Sequence, residues 1–143
     1  MGVVALDVGD RTIGVAVADD MGITAQGVGT VHRKGERHDF PALEAMLKDR
    51  DVTRWVVGWP LNMDGTEGPR AAKTRRFARR LEEITARPVL LWDERLSTFE
   101  AESVLKEAGV RRESRKAVID MLAAQVILQS YLEAGAPEQG ERP

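Results

Sequence analysis

Two apolar runs, GVVALDV (2–8) and TIGVAVAD (12–19), are separated only by Gly9-Asp10-Arg11. A connection that short cannot carry a crossover, so the two runs must fold back on each other as an antiparallel hairpin. After a turn at Asp20-Met21-Gly22, the run ITAQGVGTVHR (23–33) alternates loosely and supplies a third strand. Residues 39–50 then place Phe40, Leu43, Met46 and Leu47 at helical spacing, with Pro41 tolerated in the first turn. Beyond them the pattern alternates. A strand TRWVVGW (53–59), a loop PLNMDGTEGP (60–69), a helix over 70–86 and a strand PVLLW (88–92) follow in turn. Helices over 98–108 and 114–133 come next, the first opened by a capping box at Ser97 and Glu100. Three antiparallel strands followed by alternating helices and strands predict an α/β domain with one mixed sheet covered by helices. No repeat, linker or internal boundary interrupts residues 1–133, and the polar, Gly- and Pro-containing tail 134–143 is expected to fray.

The chain has 143 residues, the size of one ordinary domain, and its 43% hydrophobic and 31% charged content suits a soluble globule. It contains no Cys, which excludes a disulfide framework and thiolate metal sites and suits the cytoplasm. The N-terminus lacks a basic leader and reaches an acid at position 7, and no apolar run approaches the roughly 20 residues that span a bilayer. No membrane association is expected.

Three acidic positions stand out. Asp7 lies at the end of the first apolar strand, and Asp93 and Glu94 directly follow the last one, where ligands gather in α/β sheets. At 100° per residue Asp120 falls on the arc of Ala117, Ala124, Ile127, Leu128 and Tyr131, opposite Arg115, Gln125, Gln129 and Glu133. A carboxylate inside an apolar stripe needs a partner, and its neighbours Ala117, Ala123 and Ala124 leave space for one. Each acid also has a purely structural reading: a turn-forming Asp7, loop acids paired with Arg95, an Asp120 buried against an Arg. Brought together, three carboxylates would repel one another, and a hard divalent cation, Mg²⁺ or Mn²⁺, would relieve that repulsion. Two such ions can activate water and stabilise the leaving oxygen in phosphodiester hydrolysis.

The net charge of −2 conceals a local excess of cations. The stretch 69–81 carries Arg70, Lys73, Arg75, Arg76, Arg79 and Arg80 with no acid among them, and RRESRK (111–116) adds four more. Either is suited to phosphate binding, or to a solvated helix face balanced by Glu67, Glu82 and Glu83. In the loop 58–68, Asn62 could bond a phosphate or a base, and Trp59 could stack on a base or merely cap the core. Arg11 in the hairpin turn and Arg95 after the last strand join Asn62, Arg70, Lys73, Arg76 and Arg80 as candidate nucleic-acid contacts. His32 and His38 lack metal-ligand spacing and read as surface residues.

The blocks LDVGDRTIGVAVAD, VVGWPLNMDGTEG, DERLSTFEA and IDMLAAQVILQSYL resemble, in order and across residues 6–132, the YqgF family, also called RuvX. The resemblance implies an RNase H-like mixed sheet of five strands, three antiparallel and then two parallel, in a single nuclease domain over 1–133. It further implies a metal-dependent nuclease that matures the 5′ end of precursor 16S ribosomal RNA, with the small-subunit precursor as partner. The family's acidic site carries onto Asp7, Glu94 and Asp120 as catalytic and metal-binding residues, and Asp93, just before the motif acid, is placed to support it. Asp10-Arg11 stands where family members often have a neutral residue and Lys, and Trp59 stands where Leu is more usual. A second enzymatic reading is resolution of four-way DNA junctions, which needs a homodimer; the sequence fixes neither monomer nor dimer. A third is an RNA-binding module on the ribosome without catalysis. A fourth, an ATPase of the actin and sugar-kinase type, closes two such domains around its nucleotide, and this chain has room for one.

Overall fold

In the computed structural model, which describes residues 1–97, 109 and 111–143, the three-residue connection closes as a tight turn. The Gly9 N–H donates to the Thr12 carbonyl at 2.8 Å. Strand β1 (Val3–Val8) thereby pairs antiparallel with β2 (Thr12–Ala18), and β2 pairs in the same way with β3 (Ala25–His32). Helix α1 (Glu36–Met46) leads to β4 (Arg54–Trp59), and α2 (Pro69–Thr85) leads to β5 (Val89–Asp93). A 3₁₀ turn, Glu94–Leu96, follows β5, and the long helix α3 spans Arg112–Glu133. The sheet order is β3-β2-β1-β4-β5, with β1–β4 and β4–β5 parallel. The helix expected over 98–108, with Glu100 of its capping box, lies outside the described residues.

The period of two in each strand sorts the core into two layers. Val4, Leu6, Ile13, Val15, Val17, Trp55 and Val57 pack with Phe40 and Leu43 of α1 and Phe77, Ala78 and Leu81 of α2. Val3, Ala5, Ala16, Ala18, Val56 and Leu90 face the other way, against Ala124, Ile127, Leu128 and Tyr131 of α3. Asp7 continues the series Val3, Ala5 and therefore points at α3. The residue paired with it across the hairpin is Gly14, and a Cβ there would collide with the Asp120 carbonyl. The absent side chain lets α3 lie directly on β2 beside Asp7, with Asp120 at the crossing.

α1 begins at Glu36, earlier than its apolar spacing predicts. The buried Asp39 accepts the backbone N–H groups of Lys34 (2.8 Å) and Gly35 (3.4 Å), which fixes the entry into the helix upstream of the apolar residues. The tail also departs from expectation, since it docks instead of fraying. The Leu91 N–H donates to the Glu141 carbonyl at 2.8 Å, an antiparallel bridge on the outer edge of β5. The Tyr131 hydroxyl donates to the Pro137 carbonyl at 2.6 Å, and Arg75 donates to Glu141 (2.9 Å) and to the Arg142 carbonyl (3.0 Å). Gly, Pro and polar residues predict irregular backbone, but the unpaired N–H groups of an edge strand give such backbone a partner. No helix of the described residues is long and apolar enough to cross a membrane.

Candidate active site

Parallel pairing of β1, β4 and β5 brings their carboxyl ends to one rim of the sheet, and α3 crosses beneath that rim. Asp7 is the last but one residue of β1, and Glu94 opens the 3₁₀ turn after β5. Between them β4 presents Gly58, where a Cβ would sit 2.8 Å from Glu94 Oε1. A bare backbone at that point lets Glu94 reach across β4, and the Asp7 and Glu94 carboxyls share a hydrogen bond.

Burial is the main cause that raises the Asp7 pKa, from 3.8 to about 7, followed by the negative charges of Glu94 and Asp120; the Lys116 ammonium partly offsets them. The Glu94 pKa is also raised, chiefly by burial, while the Arg70 charge and the bond from Asp7 hold it down. Both carboxyls of the pair are therefore shifted toward the protonated form. Asp120 is 3% exposed and has two partners of its own, the Thr12 hydroxyl on one oxygen and the Lys116 ammonium at 3.0 Å on the other. The alternative of a buried ion pair was thus half legible: the partner is a Lys one turn earlier on the same helix, not an Arg from elsewhere. Sequence reasoning missed both partners. Lys116 was detectable from its i,i+4 spacing; Thr12 was not.

An all-carboxylate donor set in which the charges of Glu94 and Asp120 raise the pKa of Asp7 is chemically suited to a hard divalent cation. As the side chains stand, no group of three or more His, Cys, Asp or Glu among the described residues is placed to hold a metal ion. Asp120 is turned to Lys116 and Thr12 instead.

The other expected residues divide. Asp93 caps the 3₁₀ turn through the Arg95 N–H (2.9 Å), both its oxygens bond the Arg95 side chain, and its charge adds to the upward shift of Glu94. Arg95 also donates to the Met63 carbonyl at 3.2 Å and so braces the loop. Asn62 closes that loop on Thr66 at 2.9 Å, although it lines a cavity of about 640 Å³ together with Arg70, Glu94 and Arg95. Trp59 is not open to a base, because the Arg75 guanidinium lies 5.0 Å above its ring. Arg80 is drawn into ion pairs with Glu36 (2.7 Å) and Glu83 (2.8 Å). Arg70, Lys73 and Arg76 line a second cavity, of about 470 Å³, that borders Val8 and Gly9. Arg11 stands exposed in the hairpin turn, its carbonyl accepting the Arg33 N–H at 2.7 Å. His38 is tied to Asp39 at 2.9 Å.

A five-stranded mixed sheet in this order, helices on both faces and acids gathered at one rim, is the RNase H-like architecture. Two solved structures share it: Thermus thermophilus RuvC in complex with a Holliday junction substrate (TM-score 0.54, 16% identity, covering 94% of this chain and 97% of that one) and T. thermophilus RuvC alone (TM-score 0.52, 15% identity, with the same coverage). At such identity the likeness is one of fold. The family model described as "RuvX: Holliday junction resolvase" matches residues 1–134, and the chain belongs to that family. Relatives named "Putative pre-16S rRNA nuclease" include those of Symbiobacterium thermophilum (51% identical, covering 95% of this chain and 94% of the relative) and Clostridioides difficile (52% identical, 92% and 93%).

Proposed function

We propose that the chain is a divalent-metal-dependent nuclease that cleaves phosphodiester bonds in precursor 16S ribosomal RNA in the cytoplasm, with Asp7, Glu94 and Asp120 as ligands of Mg²⁺ or Mn²⁺. The observation that carries this reading is the meeting of Asp7 and Glu94 over Gly58, with Asp120 close enough for its charge to raise Asp7 further. The substrate follows from the relatives' name. A bound cation would supply the charge that activates water and stabilises the leaving oxygen. The chain's own groups prepare for it: Asp7 gives up the proton it shares with Glu94, Arg70 favours the ionised form of Glu94, and Lys116 releases Asp120.

The family description favours one further reading, cleavage of four-way DNA junctions. That reaction needs two symmetric cuts and hence two copies of the chain. The test is to incubate the purified protein with a 16S precursor transcript and with a synthetic four-way junction, each with Mg²⁺, Mn²⁺ or EDTA, alongside Asp7→Asn. The expected result is cleavage of the transcript with metal only, reduced by orders of magnitude in the variant. Cleavage of the junction alone would install the second reading, and RNA binding without cleavage under any condition would leave a non-catalytic binding module.

A further inference from the structure

The cavity of about 470 Å³ lies between the β1–β2 turn, the loop from β3 to α1 and the first half of α2. Five cations line it, Arg33, Arg70, Lys73, Arg76 and Arg80, against three acids, Asp10, Glu36 and Asp39. Two of those acids are already neutralised. Asp39 is 1% exposed and accepts from the Arg33 side chain, His38 and the N–H groups of Lys34 and Gly35. Glu36 is held by Arg80. Asp10 approaches Lys73 only to 4.0 Å, with both side chains exposed, an interaction worth little in water. Among the described residues, Arg70 and Arg76 have no ion-pair partner within bonding distance. What remains is an open cleft with three available cations on one wall.

Arg70, Lys73 and Arg76 are spaced by three along α2, so their attachment points advance by about 4.5 Å at each step. They form a row, which suits a chain of phosphates better than one anion. The opposite wall is fixed, since Arg33 donates to the Gly9 carbonyl at 2.7 Å and lies 5.4 Å over the Phe77 ring. Phe40 and Phe77 form the floor but are buried, at 3% and 9% exposure, and offer no face for a base to stack on. Arg70 also lines the cavity bordered by Glu94, so the row begins at the acidic rim and leads away from it.

We propose that this cleft is a track for the sugar–phosphate backbone of the substrate strand, gripping phosphates beyond the bond that is cut and reading no bases. The proposal rests on the reading above only in taking a polynucleotide as the ligand. It is tested on the Asp7→Asn protein in EDTA, where no cleavage occurs, by fluorescence anisotropy of a labelled single-stranded RNA across a KCl series. Two lost phosphate contacts should lower the slope of log affinity against log salt by about 1.4, at roughly 0.7 per contact. That is the change expected for Lys73→Gln with Arg76→Gln. Arg50→Gln with Arg79→Gln removes the same charge outside the cleft and should leave the slope within error of the parent. An equal effect of both pairs, no effect of the first, or full displacement of the RNA by a mononucleotide would overturn the track. Because the assay needs neither metal nor turnover, failure here is separate from failure of the nuclease reading.

Discussion

Asp7 retains its proton to about pH 7 in the folded chain, against 3.8 for an ordinary aspartate. The native state thus binds this proton more tightly than the unfolded state, and the stability it adds is full below about pH 4 and lost as pH rises through 7. Glu94 shifts in the same direction. Asp19, Asp39, Asp64 and Asp93 shift downward, and their contribution is complete above the ordinary carboxylate range. Among the shifted groups of the described residues, those that act between pH 5 and 8 are therefore at the acidic rim. Urea midpoints should fall over that interval by the equivalent of on the order of a few kcal/mol in the wild type, and much less in Asp7→Asn. Parallel falls in both proteins would show that Asp7 is not the titrating group. Asp120→Asn should behave differently. Its ion-pair partner Lys116 is 62% exposed and can return to water, and Asn still offers Thr12 an acceptor. The variant should unfold in EDTA within about 1 kcal/mol of wild type, as expected for an ion pair with one solvated member. The three acids were legible because strand ends and helical phase are local properties of the sequence. Thr12 was not, since it reaches Asp120 across 108 residues.

The placement of α3 depends on glycines in the strands beneath it. Gly14→Ala would drive a methyl group into the Asp120 carbonyl, and because backbone cannot swing aside as a side chain can, the cost should reach about 3 kcal/mol. Gly29→Ala, which meets only the flexible end of Met46 at 3.6 Å, should cost far less. Thermal melts of the two variants distinguish close helix packing from a general intolerance of Ala in strands. The hairpin itself was readable from the length of its turn, and β4, α2 and β5 from their apolar patterns. The helix-on-strand contact was not, because a glycine in a strand reads as a bulge, a bend or a close approach with equal ease. The basic stretch of α2 was readable as a cluster. Its division into Arg80, held by Glu36 of α1 and Glu83 one turn on, and the row Arg70, Lys73 and Arg76 along the cleft depends on where α1 and the hairpin turn place their acids.

For the molecule as a whole, an ion that binds only the folded chain raises the melting temperature by mass action. Since it must displace the proton on Asp7, the rise with millimolar Mn²⁺ should be larger at pH 8 than at pH 6. It should vanish in the combined Asp7→Asn, Glu94→Gln, Asp120→Asn variant; an undiminished rise there would place the ion elsewhere. The docked tail was invisible to composition, which reports the regularity of a segment and not the partners that the sheet holds out to it. Its contact has a bearing on how copies of the chain can meet. A sheet grows from molecule to molecule through bare edges, and here the bridge from Glu141 to Leu91 interrupts one of the two. Among the described residues, the edge left for strand addition is β3, where a second copy would pair about a twofold axis. Such a pair would present only tail-covered β5 edges at its two ends. Association along the sheet would be self-limiting, ending at two copies instead of running on into a fibre.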